Sequence, residues 1–258
     1  RGRNGLTHYR VDGPEDGRPI VFSNSLGTDL RLWDGLVDRL PAGWRVLRYD
    51  QRGHGLSDAP PAPYFMGDLV ADAAELIEAE GFGGAVFVGI SMGGMVAQGL
   101  AAERPDLVRA LVLMNTGAKI GTPQMWQDRA ATLHDGGFPA LQEAILERWF
   151  SARYRRDEKD MLALWRHMLT RTPLEGYMGC CEAIAGTDLK QSTARLRLPA
   201  LAIAGGEDGA TPADLVRETA DLIPRCDFHV IPGIGHLPPA EAPDATAALL
   251  TGFLEGLD

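Results

Sequence analysis

The chain has 258 residues, enough for one large domain or for a core carrying an insertion. Its 45% hydrophobic content suits a globular protein with a sizeable core. Against 35 Asp and Glu stand 25 Lys and Arg, and the formal charge of −10 argues against a nucleic-acid partner and against an anionic membrane surface. No uninterrupted apolar segment approaches the roughly 18 residues of a membrane span. Residues 1–10 are polar and carry no apolar signal-peptide core. The three cysteines, Cys180, Cys181 and Cys226, cannot all pair, and two are adjacent. A reduced, cytoplasmic protein is the simpler reading. Metal spacing such as Cys-x-x-Cys is absent, and neither a metal nor a cofactor is expected. Nothing in the residue pattern specifies an oligomeric state.

Residues 19–24 (Pro-Ile-Val-Phe-Ser-Asn) read as a buried strand that runs into the polar loop Ser25-Leu26-Gly27-Thr28. Residues 45–50 read as a second strand. Gln51-Arg52-Gly53-His54-Gly55 follows, and its glycines suggest a turn with unusual dihedrals. His54 is a possible base, but it precedes the nucleophile candidate in the chain, and a structural turn is preferred. Residues 68–80 place Leu69, Ala73, Leu76 and Ile77 between acids, the pattern of an amphipathic helix.

The chain is organised around residues 85–94, where a short apolar run leads into Gly89-Ile90-Ser91-Met92-Gly93. An Ala-rich stretch follows, so the pattern is buried strand, tight turn, helix. Such a turn exposes the Ser91 hydroxyl above a sheet and aims helix N-terminal N–H groups, including that of Met92, at the reacting centre. Residues 109–115 read as another buried strand, ending in Asn115. Repeated strand–helix–strand order implies an α/β protein with a mostly parallel sheet flanked by helices.

From residue 118 to residue 195 the short buried runs vanish. Helical patterns appear at 126–134, 139–150, 158–170 and 177–185, as expected of an inserted helical cap. The expected division is a core of residues 1–117 and 196–258, with a cap of residues 118–195. Strands resume at 198–205 and 227–232, and a closing helix spans about 243–254.

Asp208 follows the first of these late strands and His236 the second. Both sit beyond strand carboxyl ends, where open parallel sheets place their ligands. With Ser91 they give the order Ser, Asp, His, and each type has a task. His236 takes the Ser91 proton near neutral pH and later returns it to the leaving group. The Asp208 carboxylate fixes the imidazole tautomer, with Glu207 the neighbouring rival. Asn115 cannot carry the charge of a triad acid.

These motifs resemble the α/β-hydrolase superfamily over nearly the full chain. Within it the chain is most similar to the 3-oxoadipate enol-lactonase family. The pointers are residues 23–28 (Ser-Asn-Ser-Leu-Gly-Thr), 89–94 (Gly-Ile-Ser-Met-Gly-Gly), 176–184 (Gly-Tyr-Met-Gly-Cys-Cys-Glu-Ala-Ile) and the more widely shared 232–236. The resemblance implies an α/β-hydrolase fold and a second oxyanion donor in the loop after the first strand, by position the Leu26 N–H. Asn24-Ser25 stands where many relatives have His-Gly, which changes the polar group beside that donor.

The resemblance also implies an anionic lactone substrate, opened to 3-oxoadipate in the β-ketoadipate pathway of aromatic catabolism. A net acidic protein needs a local cation for it, and Arg129 is a candidate. Ser25, Trp126, Trp149 and Tyr177 are further candidates to line the substrate site. Rival readings are a general carboxylesterase or a carbon–carbon bond hydrolase of the same fold, a haloperoxidase-type side activity, and a hydrolase-like ligand receptor. Ser91 at the elbow argues against epoxide hydrolases and haloalkane dehalogenases, which use Asp there.

Overall fold

The computed structural model describes residue 2 and residues 5–257. Residues 1, 3 and 4 of the polar start, and residue 258, lie outside it. The core elements before the insertion are β1 (Tyr9–Asp12), β2 (Arg18–Ser23), α1 (Asp34–Val37, after a 3₁₀ turn at Leu30–Trp33), β3 (Trp44–Tyr49), α2 (Met66–Ala79), β4 (Ala85–Ile90), α3 (Met92–Glu103) and β5 (Val108–Met114). Six helices intervene: α4 (Pro123–Gly136), α5 (Gln142–Trp149), α6 (Ala152–Asp157), α7 (Lys159–Thr170), α8 (Leu174–Ala185) and α9 (Lys190–Thr193). The core then closes with β6 (Ala200–Gly205), α10 (Ala213–Asp221), β7 (Cys226–Ile231), α11 (Pro238–Glu241) and α12 (Pro243–Glu255).

One seven-stranded sheet has the order β1-β3-β2-β4-β5-β6-β7. All pairs are parallel except β1 with β3, where Tyr9 faces Tyr49. β4 and β6 are buried along their whole length, as expected of strands covered on both faces. Ile20 pairs with Val86, Val86 with Ala110, and Leu111 with Ala200, so the aliphatic centre of the core runs straight across the sheet. The chain steps from β2 out to β3 and back to β4, which makes the β2/β4 boundary the topological switch point. The crevice beyond the carboxyl ends of these two strands is where such sheets bind ligands. The loop holding Leu26 and the turn holding Ser91 meet there.

The edge strand β1 was not expected from the polar start. Its residues are half-exposed to exposed, so it has no apolar run to reveal it. In the insertion, the expected helix 126–134 begins earlier, at Pro123. The Thr122 hydroxyl accepts the Met125 N–H at 3.2 Å, and proline fits the first helical position. The expected helix 139–150 is divided into a 3₁₀ turn at Phe138–Ala140 and α5. α6 is an unexpected short helix capped by the Ser151 hydroxyl, which accepts the Tyr154 N–H at 3.2 Å.

The cap meets the core in close backbone contact, and an aromatic layer packs within the cap itself. A Cβ on Gly176 of α8 would lie 2.4 Å from the Gly53 Cα, so the two chains approach at a distance only glycine permits. The ring of Tyr177 stands edge-on to Phe138, with centroids 5.2 Å apart. Phe150 stacks on Tyr154 at 4.6 Å.

The same turn supports the loop after β2. Nε2 of the buried His54 accepts the Gly27 N–H at 2.8 Å, which leaves Nδ1 to donate to the Arg52 carbonyl at 3.1 Å. Sequence reading preferred a structural turn here, and the bond shows what the turn supports. Burial lowers the His54 pKa from its ordinary 6.5, opposed by the Arg52 carbonyl and the charges of Asp50 and Asp29. A protonated Nε2 could no longer accept from Gly27.

Two outcomes are expected. Gly176→Ala gains helix propensity, worth about 1 kcal/mol at an interior position. The clash with Gly53 is the larger effect, and the net loss is about 1–3 kcal/mol by urea unfolding; equal or higher stability would refute the close contact. Below pH about 6.5 the unfolded chain binds the His54 proton and the folded chain does not, so stability falls as pH drops from there through the folded pKa. His54→Gln should therefore flatten the loss of stability between pH 7 and 5. An unchanged slope would show that His54 does not contribute to it.

Candidate active site

Ser91 joins β4 to α3 with φ 54° and ψ −117°, a conformation that costs a non-glycine residue on the order of 1–3 kcal/mol. The surroundings impose it. The Ser91 N–H donates to the Met114 carbonyl at 2.9 Å, and the Ser91 carbonyl accepts from the Thr116 hydroxyl at 2.6 Å and the Gly94 N–H at 2.9 Å. A Cβ at Gly89 would lie 2.2 Å from the Gly93 carbonyl oxygen, and one at Gly93 would lie 2.1 Å from that of Ser23. The flanking glycines are therefore required by space, and the bend lifts the Ser91 side chain out of the sheet.

Two backbone donors near this bend are unused. Among the described residues the N–H groups of Leu26 and Met92 donate to nothing, whereas the next N–H of α3, Gly93, donates to the Asn24 carbonyl at 3.1 Å. The Leu26 loop is held on both sides. Thr28 donates its N–H and its hydroxyl to the Ser25 carbonyl at 3.1 and 2.8 Å. Asn24 donates to the Tyr49 carbonyl at 2.7 Å and accepts from Trp33 Nε1 at 2.6 Å. Asn24 thus anchors the loop base and does not face the cavity.

His236 and Asp208 meet at the ends of β7 and β6. Nδ1 of His236 lies 2.8 Å from Asp208 Oδ2. The other oxygen, Oδ1, accepts the Ala210 and Thr211 N–H groups at 2.7 and 3.0 Å. An ionised carboxylate only accepts, so Nδ1 carries the proton and Nε2 presents a lone pair. Glu207 is exposed and makes no contact with His236 among the described residues.

Three residues that sequence reasoning assigned no such role fix this pair. Asn115, with φ 42°, accepts the Gly205 N–H at 2.8 Å and donates to the Gly235 carbonyl at 3.0 Å, tying together the two loops that carry Asp208 and His236. The Thr211 hydroxyl lies 2.7 Å from both Asp208 Oδ2 and the Asn115 carbonyl. Glu241 accepts the Gly235 N–H at 3.0 Å and the Ser151 N–H at 3.2 Å, and bonds the Ser151 hydroxyl, so one carboxylate joins the His236 loop to the cap. The cap reaches the histidine directly as well, because the His236 N–H donates to the Trp149 carbonyl at 2.7 Å.

Ser25, Leu26, Ser91 and His236 open on one small cavity of about 50 Å³. Ser91 and His236 share no hydrogen bond among the described residues, and there the one side chain that bonds Nε2 is Ser25, through its hydroxyl at 3.4 Å. From the cap, Trp126, Arg129, Trp149 and Tyr177 line the same cavity. Arg129 is half-buried; it donates to the Tyr177 hydroxyl at 3.1 Å and stands 5.1 Å from the Trp126 ring. Burial raises the Tyr177 pKa, with Arg129 opposing, so the phenol stays neutral. Sequence reasoning missed Arg148, which also lines the cavity; its only signal was adjacency to Trp149. Neither arginine pairs with a carboxylate among the described residues. A larger groove of about 360 Å³ along α7 shares no residue with this cavity and has no serine in its lining.

Comparison with known proteins gives a consistent family. The structure is similar to an enol-lactonase from Burkholderia xenovorans LB400, with a TM-score of 0.94 and 39% identity over 98% of each chain. It is similar to an esterase from Thermogutta terrifontis with malate bound, with a TM-score of 0.91 and 27% identity over 97% of this chain and 93% of that one. The sequence is 36% identical to 3-oxoadipate enol-lactonase 2 of Acinetobacter baylyi, over 79% of this chain and 76% of the relative. The family model for the alpha/beta hydrolase fold matches residues 18–243. The chain belongs to the α/β-hydrolase family.

Proposed function

We propose that this hydrolase is a serine enzyme that opens 3-oxoadipate enol-lactone to 3-oxoadipate in aromatic catabolism. The observation that carries the chemistry is a serine on a strained turn and a histidine whose Nδ1 is held by a buried carboxylate, opening on one cavity, with the unused N–H groups of Leu26 and Met92 on the residues beside Ser25 and Ser91. Ser91 attacks the lactone carbonyl while His236 Nε2 takes its proton. Leu26 and Met92 N–H hold the oxyanion, and one such donor is worth about 2.7–4 kcal/mol. Collapse breaks the ring C–O bond, and the leaving enolate takes up the proton held by His236 and ends as a ketone, which drives ring opening forward and leaves the imidazole neutral. Water activated by His236 then releases the acid from Ser91.

The substrate class rests on similarity and on local charge. A protein of net charge −10 cannot steer an anion as a whole. Arg129 and Arg148 supply positive charge at the cavity with no carboxylate partner among the described residues. The small cavity suits a small ring. In this reading residues 118–195 act as a lid that places Arg129 over Ser91, with Trp126, Trp149 and Tyr177 as walls. A reducing, cytoplasmic setting fits the three free cysteines. The esterase similarity keeps a simple carboxylesterase as the second reading.

An ultraviolet assay of enol-lactone loss, run beside neutral lactones and esters, separates the two. Strong preference for the enol-lactone supports the proposal, and preference for neutral esters contradicts it. Ser91→Ala should lower the rate by several orders of magnitude without unfolding the protein. Asp208→Asn should lower it far more than Glu207→Gln; the reverse ranking would overturn the assignment. Arg129→Ala should cost about 2 kcal/mol on the enol-lactone, the low end for a charge contact because Arg129 is half-buried, and little on a neutral ester. Equal loss on both would make Arg129 structural.

A further inference from the structure

The Ser25 hydroxyl hydrogen-bonds the lone-pair nitrogen of His236 at 3.4 Å, the one side-chain hydrogen bond to that nitrogen among the described residues, and it has no other partner there. Ser25 is 1% exposed, and its backbone is fixed through the two bonds from Thr28 to its carbonyl. Its hydroxyl is therefore held against a reacting atom, on the residue that directly precedes the Leu26 donor. It also lines the cavity together with Ser91 and His236. A small side chain that only filled space here would not place a proton donor and acceptor against the base.

We propose that Ser25 is a catalytic residue that relays the His236 proton to the leaving oxygen. This rests on the triad reading above. In the resting protein Nε2 accepts, so the Ser25 hydroxyl donates to it across a long contact. Such contacts tighten when the reacting complex forms. Once Ser91 has given its proton to Nε2, the imidazolium N–H turns the relationship round and Ser25 Oγ accepts a charge-assisted bond. As the tetrahedral intermediate collapses, the C–O bond to the leaving oxygen breaks and its electron pair stays on that oxygen. The oxygen takes the Ser25 proton while Oγ takes the proton from Nε2. Imidazole ends neutral and Ser25 ends as a hydroxyl. A relay matters most for a ring, whose leaving oxygen is tethered to the acyl carbon and cannot swing toward Nε2 as a free alcohol can.

The test compares Ser25→Ala with the unaltered protein on 4-nitrophenyl acetate and 4-methoxyphenyl acetate, which share the acyl group and differ in how much the leaving oxygen needs a proton. The variant should lose at least about tenfold in kcat/KM on the methoxy ester and no more than about threefold on the nitro ester. Ser25→Thr, which keeps a hydroxyl, should recover the methoxy ester. Equal losses on both esters would make Ser25 an oxyanion or packing residue and overturn the relay, as would no loss on either. Should Ser25→Ala not fold, a proton inventory on the unaltered protein decides. A bowed rate curve for the methoxy ester in mixed light and heavy water shows two protons in flight, and a straight line overturns the relay. Ser91→Ala retaining activity would remove the triad reading itself, whereas an inactive Ser91→Ala with equal Ser25→Ala losses removes only the relay.

Discussion

The structure depends on one backbone constraint, the left-handed conformation of Ser91 between β4 and α3. That residue carries strain on the order of 1–3 kcal/mol, and two kinds of contact hold it there. The glycines at 89 and 93 let the strand and helix come within backbone contact. Met114 and Thr116, at the end of the neighbouring strand, bond its amide and carbonyl. The N-terminus of α3 follows at once, so the Met92 N–H is left without an intrahelical acceptor, as every first-turn donor is. Strain, a serine that lines the cavity and an unused donor all follow from the same turn.

A second level of organisation ties the remaining groups to that turn. Asp208 and His236 lie on separate loops, and neither loop alone would place them 2.8 Å apart. Asn115, at the end of the strand next to Ser91, binds both loops with one amide. Glu241 then joins the histidine loop to the cap, and the Trp149 carbonyl does so again. The cap and the His236 loop are therefore held together twice, once directly at His236 and once through Glu241. Two of the cap's arginines, Arg129 and Arg148, place positive charge at the cavity of a protein whose net charge is −10.

Much of this was legible in the sequence because local patterns demanded it. The buried β-branched run, the Gly-x-Ser-x-Gly turn and the order of Ser91, Asp208 and His236 each reflect constraints within a few residues. The distinction between Asp208 and Glu207 was readable from spacing after β6, and the structure shows the physical reason: Asp208 is buried under its loop while Glu207 is exposed. Long-range contacts were not legible. Asn115 reads as a residue that fails to be an acid, because its two partners lie 90 and 120 residues away. The Glu241–Ser151 bond spans the cap boundary, and no pattern around either residue announces it. β1 escaped notice because an edge strand needs no apolar run. Arg148 escaped because a cation on a short helix looks the same whether it faces water or a cavity.

The central claim is that Ser91 is a nucleophile activated by His236 and Asp208. Its most direct test is covalent labelling of the native protein with a fluorophosphonate, followed by peptide mass spectrometry with activity measured in parallel. The expected result is a single adduct on Ser91, with activity lost in proportion to labelling and no adduct on Ser25. An adduct on another serine that accounts for the lost activity, or full labelling of Ser91 with activity retained, would contradict it.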